Sequence, residues 1–215
     1  MDYKSYILKI RKNDDLTQAE LAHILGVSET TIKYIETGRV KKPSDKSLKS
    51  LAKYTKTSPI IVIRDIYFDD SIIEAANKSS AVDMLTKYIA CCILDKWNLI
   101  KCELAKNTYN LQTRISHQKY PSKITELYAV NNFKTEHPYN CDEFLELLFG
   151  TIVDYSYLHT EENVKAIAVI FDAKNKKETQ LFNDLVKALP TKGKFKVTLI
   201  LFDKDECKTI KKWIC

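Results

Sequence analysis

The sequence predicts two domains of different class. The first is an N-terminal all-α five-helix bundle built around a helix-turn-helix, and the second a C-terminal α/β (or α+β) domain with a βαβ unit. Three observations predict this. The stretch Leu16–Gly38, LTQAELAHILGVSETTIKYIETG, carries capping, small and apolar residues at the spacing of two short helices joined by a tight turn. Two largely apolar runs, Val164–Phe171 and Phe195–Phe202, flank the amphipathic stretch Lys176–Leu189, as parallel strands joined by a helix would. The positive charge is concentrated at one end. Residues 1–68 carry 13 Lys and Arg against 8 Asp and Glu, and the rest carry 21 against 20.

Taken in order, Asp2–Lys12 reads as an amphipathic helix that offers Tyr6, Ile7, Leu8 and Ile10 to its neighbours. Asn13, Asp14 and Asp15 break it. Thr17 is a good N-cap and Glu20, three residues on, completes a capping box. The helix Gln18–Leu25 then turns Ala19, Leu21, Ala22 and Leu25 inward. Gly26 suits a helix end that passes through positive φ. Val27 can plug the gap between the helices, and Ser28 caps the next one. That helix points Ile32 and Ile35 inward and Glu29, Thr30, Lys33 and Tyr34 outward, and Gly38 ends it. A basic loop, Arg39 to Pro43, follows. Ser44 caps a helix over Asp45–Tyr54, and Ser58 with Pro59 opens a fifth that runs to about Tyr67.

The second part is read more coarsely. Asp69–Ser80 is expected to connect the domains, with some helical character. Ala81–Trp97 is expected to be a helix. Asn98–Lys106 and Tyr109–His117 alternate and could form a hairpin about Asn107 and Thr108. Lys123–Val130 is a third strand, Cys141–Tyr157 a helix, and Asp205–Trp213 a closing helix. The domains expected are therefore 1–68 and 81–215, with 69–80 between them.

Two helices with a short glycine-containing turn form a unit whose second helix fits a DNA major groove. TQAELA, then G-V-S, then T-I-x-x-I-E-x-G resembles the phage-repressor (Cro-like, XRE-type) helix-turn-helix regulators over about the first 68 residues. The rest of the chain resembles no family that its motifs identify. The resemblance implies that Gln18, at the start of the first motif helix, bonds a backbone phosphate. Ser28, Thr37, Arg39, Lys41 and Lys42 are further phosphate candidates, being hydroxyls near helix ends and cations of a basic loop. Base reading would fall to Glu29, Thr30 and Lys33, with Tyr34 reaching a sugar or base. Glu accepts from cytosine N4, Lys donates to guanine, and a Thr methyl touches thymine. The plainer alternatives are that Glu29 answers the helix dipole and Lys33 is solvated.

Composition excludes several classes. No apolar run reaches membrane-spanning length, and the opening residues are too polar for a signal peptide, so a cytoplasmic protein with no membrane partner is expected. The six cysteines include no C-x-x-C pair and no His at zinc-finger spacing, which predicts reduced thiols and no metal. The four glycines, 26, 38, 150 and 193, allow neither a P-loop nor G-x-G-x-x-G. None follows an alanine, so the Ala-Gly cleavage site of self-cleaving repressors is missing. No catalytic set and no cofactor are predicted.

One stretch admits a sharper reading. In VIFDAKN, Asp172 and Lys174 end a buried strand, with Asp154 upstream, which resembles the metal-dependent nuclease pattern PD…(D/E)xK. No Pro precedes Asp154. The alternative is that Asp172 and Asn175 cap the following helix while Lys174 is solvated. Asp203 ends the other central strand. If the strands are parallel neighbours, Asp172 and Asp203 share the carboxyl edge, where α/β sheets bind ligands.

These readings predict a sequence-specific transcriptional regulator, a repressor of phage or mobile-element type. It would act as a homodimer on a double-stranded DNA operator, and its second domain would dimerise or sense an unknown effector. Two rivals stay open: a nuclease targeted by the helix-turn-helix, and an antitoxin or phage-defence protein that binds a protein partner and represses its own gene.

Overall fold

The structure, a computed structural model, describes residues 2–95, 97–103, 112–129, 142, 144–146, 164–189 and 196–214. The chain divides into two compact units, Met1–Glu74 and Ala75–Cys215.

The first unit is helical. α1 (Tyr3–Asn13), α2 (Gln18–Leu25), α3 (Glu29–Glu36), α4 (Asp45–Tyr54) and α5 (Pro59–Tyr67) are the five helices that the sequence predicts. Their starts are fixed by side chains that satisfy the free N–H groups of a first turn. Asp2 accepts from the Ser5 N–H, Ser28 from Thr31, Ser44 from Ser47 and Ser58 from Ile61. Thr17 and Glu20 form the full capping box. The core is Tyr3, Ile7, Leu21, Leu25, Ile32, Ile35, Leu51, Val62, Ile66 and Phe68. Two assignments need correction. Ala19 is exposed and only Leu21, Ala22 and Leu25 of α2 are buried, because one face of so short a helix has room for one stripe. Asp2 is a cap rather than a helical residue, and Tyr3 is buried in its place.

The stretch expected as a connector is a regular helix, α6 (Asp70–Lys78), with Ile72 and Ala76 buried. α7 (Ser80–Leu94) follows. It ends earlier than predicted, and Trp97 opens a strand instead of closing the helix, since Trp97–Glu103 alternates as a strand does.

The second unit is built on a six-stranded mixed sheet in chain order. Its strands are β1 (Trp97–Glu103), β2 (Gln112–His117), β3 (Tyr120–Ala129), β4 (Val164–Asp172), β5 (Lys196–Asp203) and β6 (Lys208–Ile214). β1, β2 and β3 form an antiparallel meander. β3, β4 and β5 run parallel, and α8 (Lys176–Ala188) joins the last two as the predicted βαβ unit. The expected turn at Asn107 and Thr108 lies outside the described residues, as do Asp154 and most of Cys141–Tyr157, of which 142 and 144–146 are helical.

The closing segment is a strand, not the helix that Asp205–Trp213 suggests. β6 pairs antiparallel with β5. KTIKKWI places β-branched and aromatic residues along the edge of an already buried strand, where ladder hydrogen bonds outweigh the marginal stability of a short lysine-rich helix. Cys207, at φ 52°, closes the hairpin turn. The parallel core is covered on both faces, which is why the middles of β4 and β5 are mostly apolar. Leu181, Phe182 and Leu185 of α8 pack on Ile167, Val169, Phe171 and Leu199. On the other face the α7 ring of Tyr88 stands edge-on to Phe202, centroids 5.3 Å apart. Among the described residues no helix is long and apolar enough to cross a membrane.

Thr17 and Ser28 each satisfy an N–H that has no helical partner, so Thr17→Ala and Ser28→Ala should each lower stability by about 1 kcal/mol. Urea unfolding of the full chain checks this, and unchanged midpoints would deny the caps any energetic role.

Candidate nucleic-acid interface

The turn between α2 and α3 fixes how α3 is presented. Gly26 sits in the left-handed region at φ 63°, and its N–H bonds Ala22 and His23 carbonyls. A Cβ there would lie 3.1 Å from Lys46 Cε, the movable end of a lysine, so it is the left-handed conformation that favours glycine. Val27, half-buried, returns its N–H to the Ala22 carbonyl at 3.0 Å.

α3 is divided by exposure. Ile32 and Ile35 are buried. Glu29, Thr30 and Lys33 are exposed, and among the described residues their side chains make no hydrogen bond or ion pair. Tyr34 is 42% exposed, with the Arg39 guanidinium 5.2 Å above its ring. This contact joins a base-reading candidate to a phosphate candidate and stiffens both.

The phosphate candidates separate into two kinds. Arg39, Lys41 and Lys42 are exposed on the loop after α3. The hydroxyls are more committed. Thr37 donates to the Lys33 carbonyl at 2.8 Å, so its one hydroxyl proton is already used within the helix. Ser28 Oγ accepts from the Thr31 N–H and lies 2.9 Å from Thr31 Oγ1. Gln18 is half-buried and donates from Nε2 to Glu36 Oε2 at 2.6 Å. Its second amide hydrogen and the free N–H groups at the start of α2 are what it can offer a phosphate.

Glu36 is the functional residue that position alone did not single out. Arg11 Nε donates to its Oε1 at 2.6 Å, and Arg11 Nη1 donates to the Leu16 carbonyl at 3.2 Å. One carboxylate thus binds α1, α2 and α3 together, with side-chain exposures of only 24% and 9% for Arg11 and Glu36. A signal existed. A carboxylate in the last turn of a helix opposes the helix dipole, so it needs a cation elsewhere in the fold. Burial pushes the Glu36 carboxyl up, but the hydrogen bonds from Arg11 and Gln18 outweigh it and hold the group below its ordinary range.

The carboxyl edge of the sheet has a different character. Asp172 and Asp203 do end adjacent parallel strands. Neither is open to a ligand. Each is answered by the lysine that follows the other strand: Lys204 Nζ lies 2.9 Å from Asp172, and Lys174 Nζ 3.5 Å from Asp203 and 2.9 Å from Asp205. Asp203 Oδ1 also accepts from the N–H groups of Asp205 and Glu206. The Glu206 N–H foremost, with Lys174 beside it, holds the Asp203 carboxyl below the usual carboxylate range. Asp172 Oδ1 accepts from the Lys174 N–H at 2.9 Å. Buried Glu178 takes the Asp172 N–H at 2.6 Å, and burial raises its pKa. The cap of α8 is Asn175, which accepts from Lys177 and Glu178. Among the described residues no three His, Cys, Asp or Glu are arranged to hold a metal ion. The edge is therefore a crossed set of ion pairs and turn caps, and Lys174, exposed as expected, also takes part in it.

Residues 7–62 match the helix-turn-helix family model, and α2 and α3 lie within that segment. No curated protein matches the chain. No solved structure matches it.

Because the Glu36 pKa is depressed on folding, its contribution to stability is present above the unfolded pKa and is lost as pH falls through the folded one. Glu36→Gln should therefore be less stable than the parent by about 1–3 kcal/mol at neutral pH. The gap should close as pH falls through and below the ordinary carboxylate range. Urea unfolding at each pH reads it, and a gap that does not change with pH would deny the ionised pair its role.

Proposed function

We propose that the chain is a sequence-specific transcriptional regulator, a repressor of phage or mobile-element type, that binds its operator as a homodimer. One observation carries this: the outer face of α3 presents Glu29, Thr30 and Lys33 without a side-chain partner among the described residues, on a helix whose other face is locked into the core. Unpaired donors and acceptors on a rigid helix are what base edges in a major groove require. The basic loop with Arg39, Lys41 and Lys42 lies just after that helix and supplies cations for the flanking phosphates.

A single small domain reaches few base pairs, so useful specificity calls for two copies. In a dimer the two recognition helices sit about 34 Å apart on a pseudo-palindromic duplex. In this reading residues 75–215 hold the copies together, sense an effector, or do both, and the work is done in the cytoplasm. The chain carries no catalytic step of its own. The crossed lysine pairing of Asp172 and Asp203 favours this reading over a nuclease, because each carboxylate already has its cation.

The experiment is selection of bound sequences from random duplex DNA, followed by anisotropy titrations of the winner with the full-length protein. Glu29→Ala and Lys33→Ala should change the preferred sequence, each costing about 1–3 kcal/mol at its own position. Arg39→Ala should weaken every duplex alike and reduce the salt dependence by about one phosphate. No enrichment from the random pool, or equal losses on all sequences from all three variants, would overturn the reading.

A further inference from the structure

The second unit contains a cavity of about 340 Å³ between the C-terminal half of α7 and the sheet. It is separate from the carboxyl-edge ion pairs and from the helix-turn-helix. Its sheet-side lining follows from strand register. Thr125 pairs with Ile115, Ala168 with Thr198, and Ile200 with Lys212, and all six of these residues line it. Ala168 contributes to the hollow: it is a small residue beside Ile167, Val169, Ile170 and Phe171 of the same strand, and it lines the space beneath α7. The walls are Tyr88 and Trp97, with Cys91 and Cys92 from α7. Burial pushes both thiols up to about 12, so they stay neutral and act as apolar surface.

The polar residues of the lining are Thr125, Thr198, Thr209, Lys196, Lys212 and Asp95. Thr198 is 6% exposed, lines the cavity, and its hydroxyl has no hydrogen bond among the described residues. The hydroxyl opens on the cavity and can donate to or accept from whatever enters it. Lys196 and Lys212 lie at two sides of the rim. Both are exposed, and neither has an ion-pair partner among the described residues. Asp95, at the C-cap of α7, offsets one of these two charges. The volume lies at the low end of ligand sites, and an apolar interior with a few convergent polar groups is their usual character.

We propose that this cavity binds a small organic monoanion, one or two rings bearing a carboxylate or an equivalent acid. The rings lie over Ala168 between Tyr88 and Trp97. The acid meets a rim lysine and the Thr198 hydroxyl. A nucleoside polyphosphate is excluded by volume and by a rim whose net charge is close to +1. The site stands independently of what residues 1–74 bind, so its failure and the failure of the regulator reading are read in different experiments.

The test is isothermal titration calorimetry of the full-length protein with 2-naphthoate and with its neutral isostere, 2-naphthamide. The acid should bind at one site with a Kd of about 0.1–1 mM, and the amide about tenfold more weakly. Ala168→Leu, which fills the sheet side, should weaken the acid by about tenfold or more. Lys212→Gln, Lys196→Gln and Thr198→Val test the rim without changing the packed core. At least one lysine variant should weaken the acid by several-fold and leave the amide unchanged. Circular dichroism melting confirms folding, and if Ala168→Leu does not fold the three rim variants decide. No binding of the acid, equal affinity for acid and amide, or an acid affinity that none of the rim variants moves would overturn the proposal.

Discussion

The recognition surface depends on one carboxylate. Glu36 lies at the end of an eight-residue helix that would not persist alone in water. It is held by Arg11 of α1 and Gln18 of α2, so that α3 is joined to two neighbours at the point where its own hydrogen bonding runs out. Burial of Ile32 and Ile35 fixes which face of α3 looks inward, and the clamp and the left-handed Gly26 fix its angle to α2. Glu29, Thr30 and Lys33 are then left outward, without partners among the described residues. A surface made this way is pre-organised: ordering was completed by folding, so little is left to be ordered on binding.

The second unit shows the opposite treatment of charge. Its carboxyl edge, the place where parallel sheets often bind ligands, is closed by pairing each aspartate with the lysine after the neighbouring strand. Each lysine comes from one connection and each partner from the other, so the pairs tie the β4–α8 turn to the β5–β6 turn. The free polar groups lie instead on the α7 face of the sheet, about the cavity over Ala168. The two parts of the chain therefore use cations differently. In the first unit exposed cations face outward on a loop, while at the sheet edge they are consumed within the fold.

The sequence was most legible where local chemistry decides the outcome. Caps at Thr17, Ser28, Ser44 and Ser58, the glycine at 26 and the spacing of Ile32 and Ile35 act within a few residues, and all appear as the pattern predicts. The βαβ unit was legible because strands buried on both faces are mostly apolar. Legibility failed where a partner distant in sequence decides. Lys208–Ile214 is a strand because β5 offers it a ladder, and nothing within the segment reports that neighbour. Trp97 belongs to β1 rather than α7, since Asp95 stops the helix and His117 of β2 offers an edge-on ring at 5.3 Å. The candidate sites follow the same rule. The outward face of α3 was readable from periodicity. The engagement of Gln18 by Glu36, and of Asp172 by Lys204, was not, because those partners are 18 and 32 residues away along the chain.

The central claim is that the outer face of α3 reads bases in a major groove. Methylation interference on the selected duplex tests it most directly, using the full-length protein. Guanine N7 projects into the major groove and adenine N3 into the minor groove, so dimethyl sulfate separates the two. The account predicts loss of binding when guanine N7 is methylated within two half-sites about one helical turn apart, with methylation at adenine N3 between them tolerated. Interference confined to adenine N3, or none at any base, would contradict it.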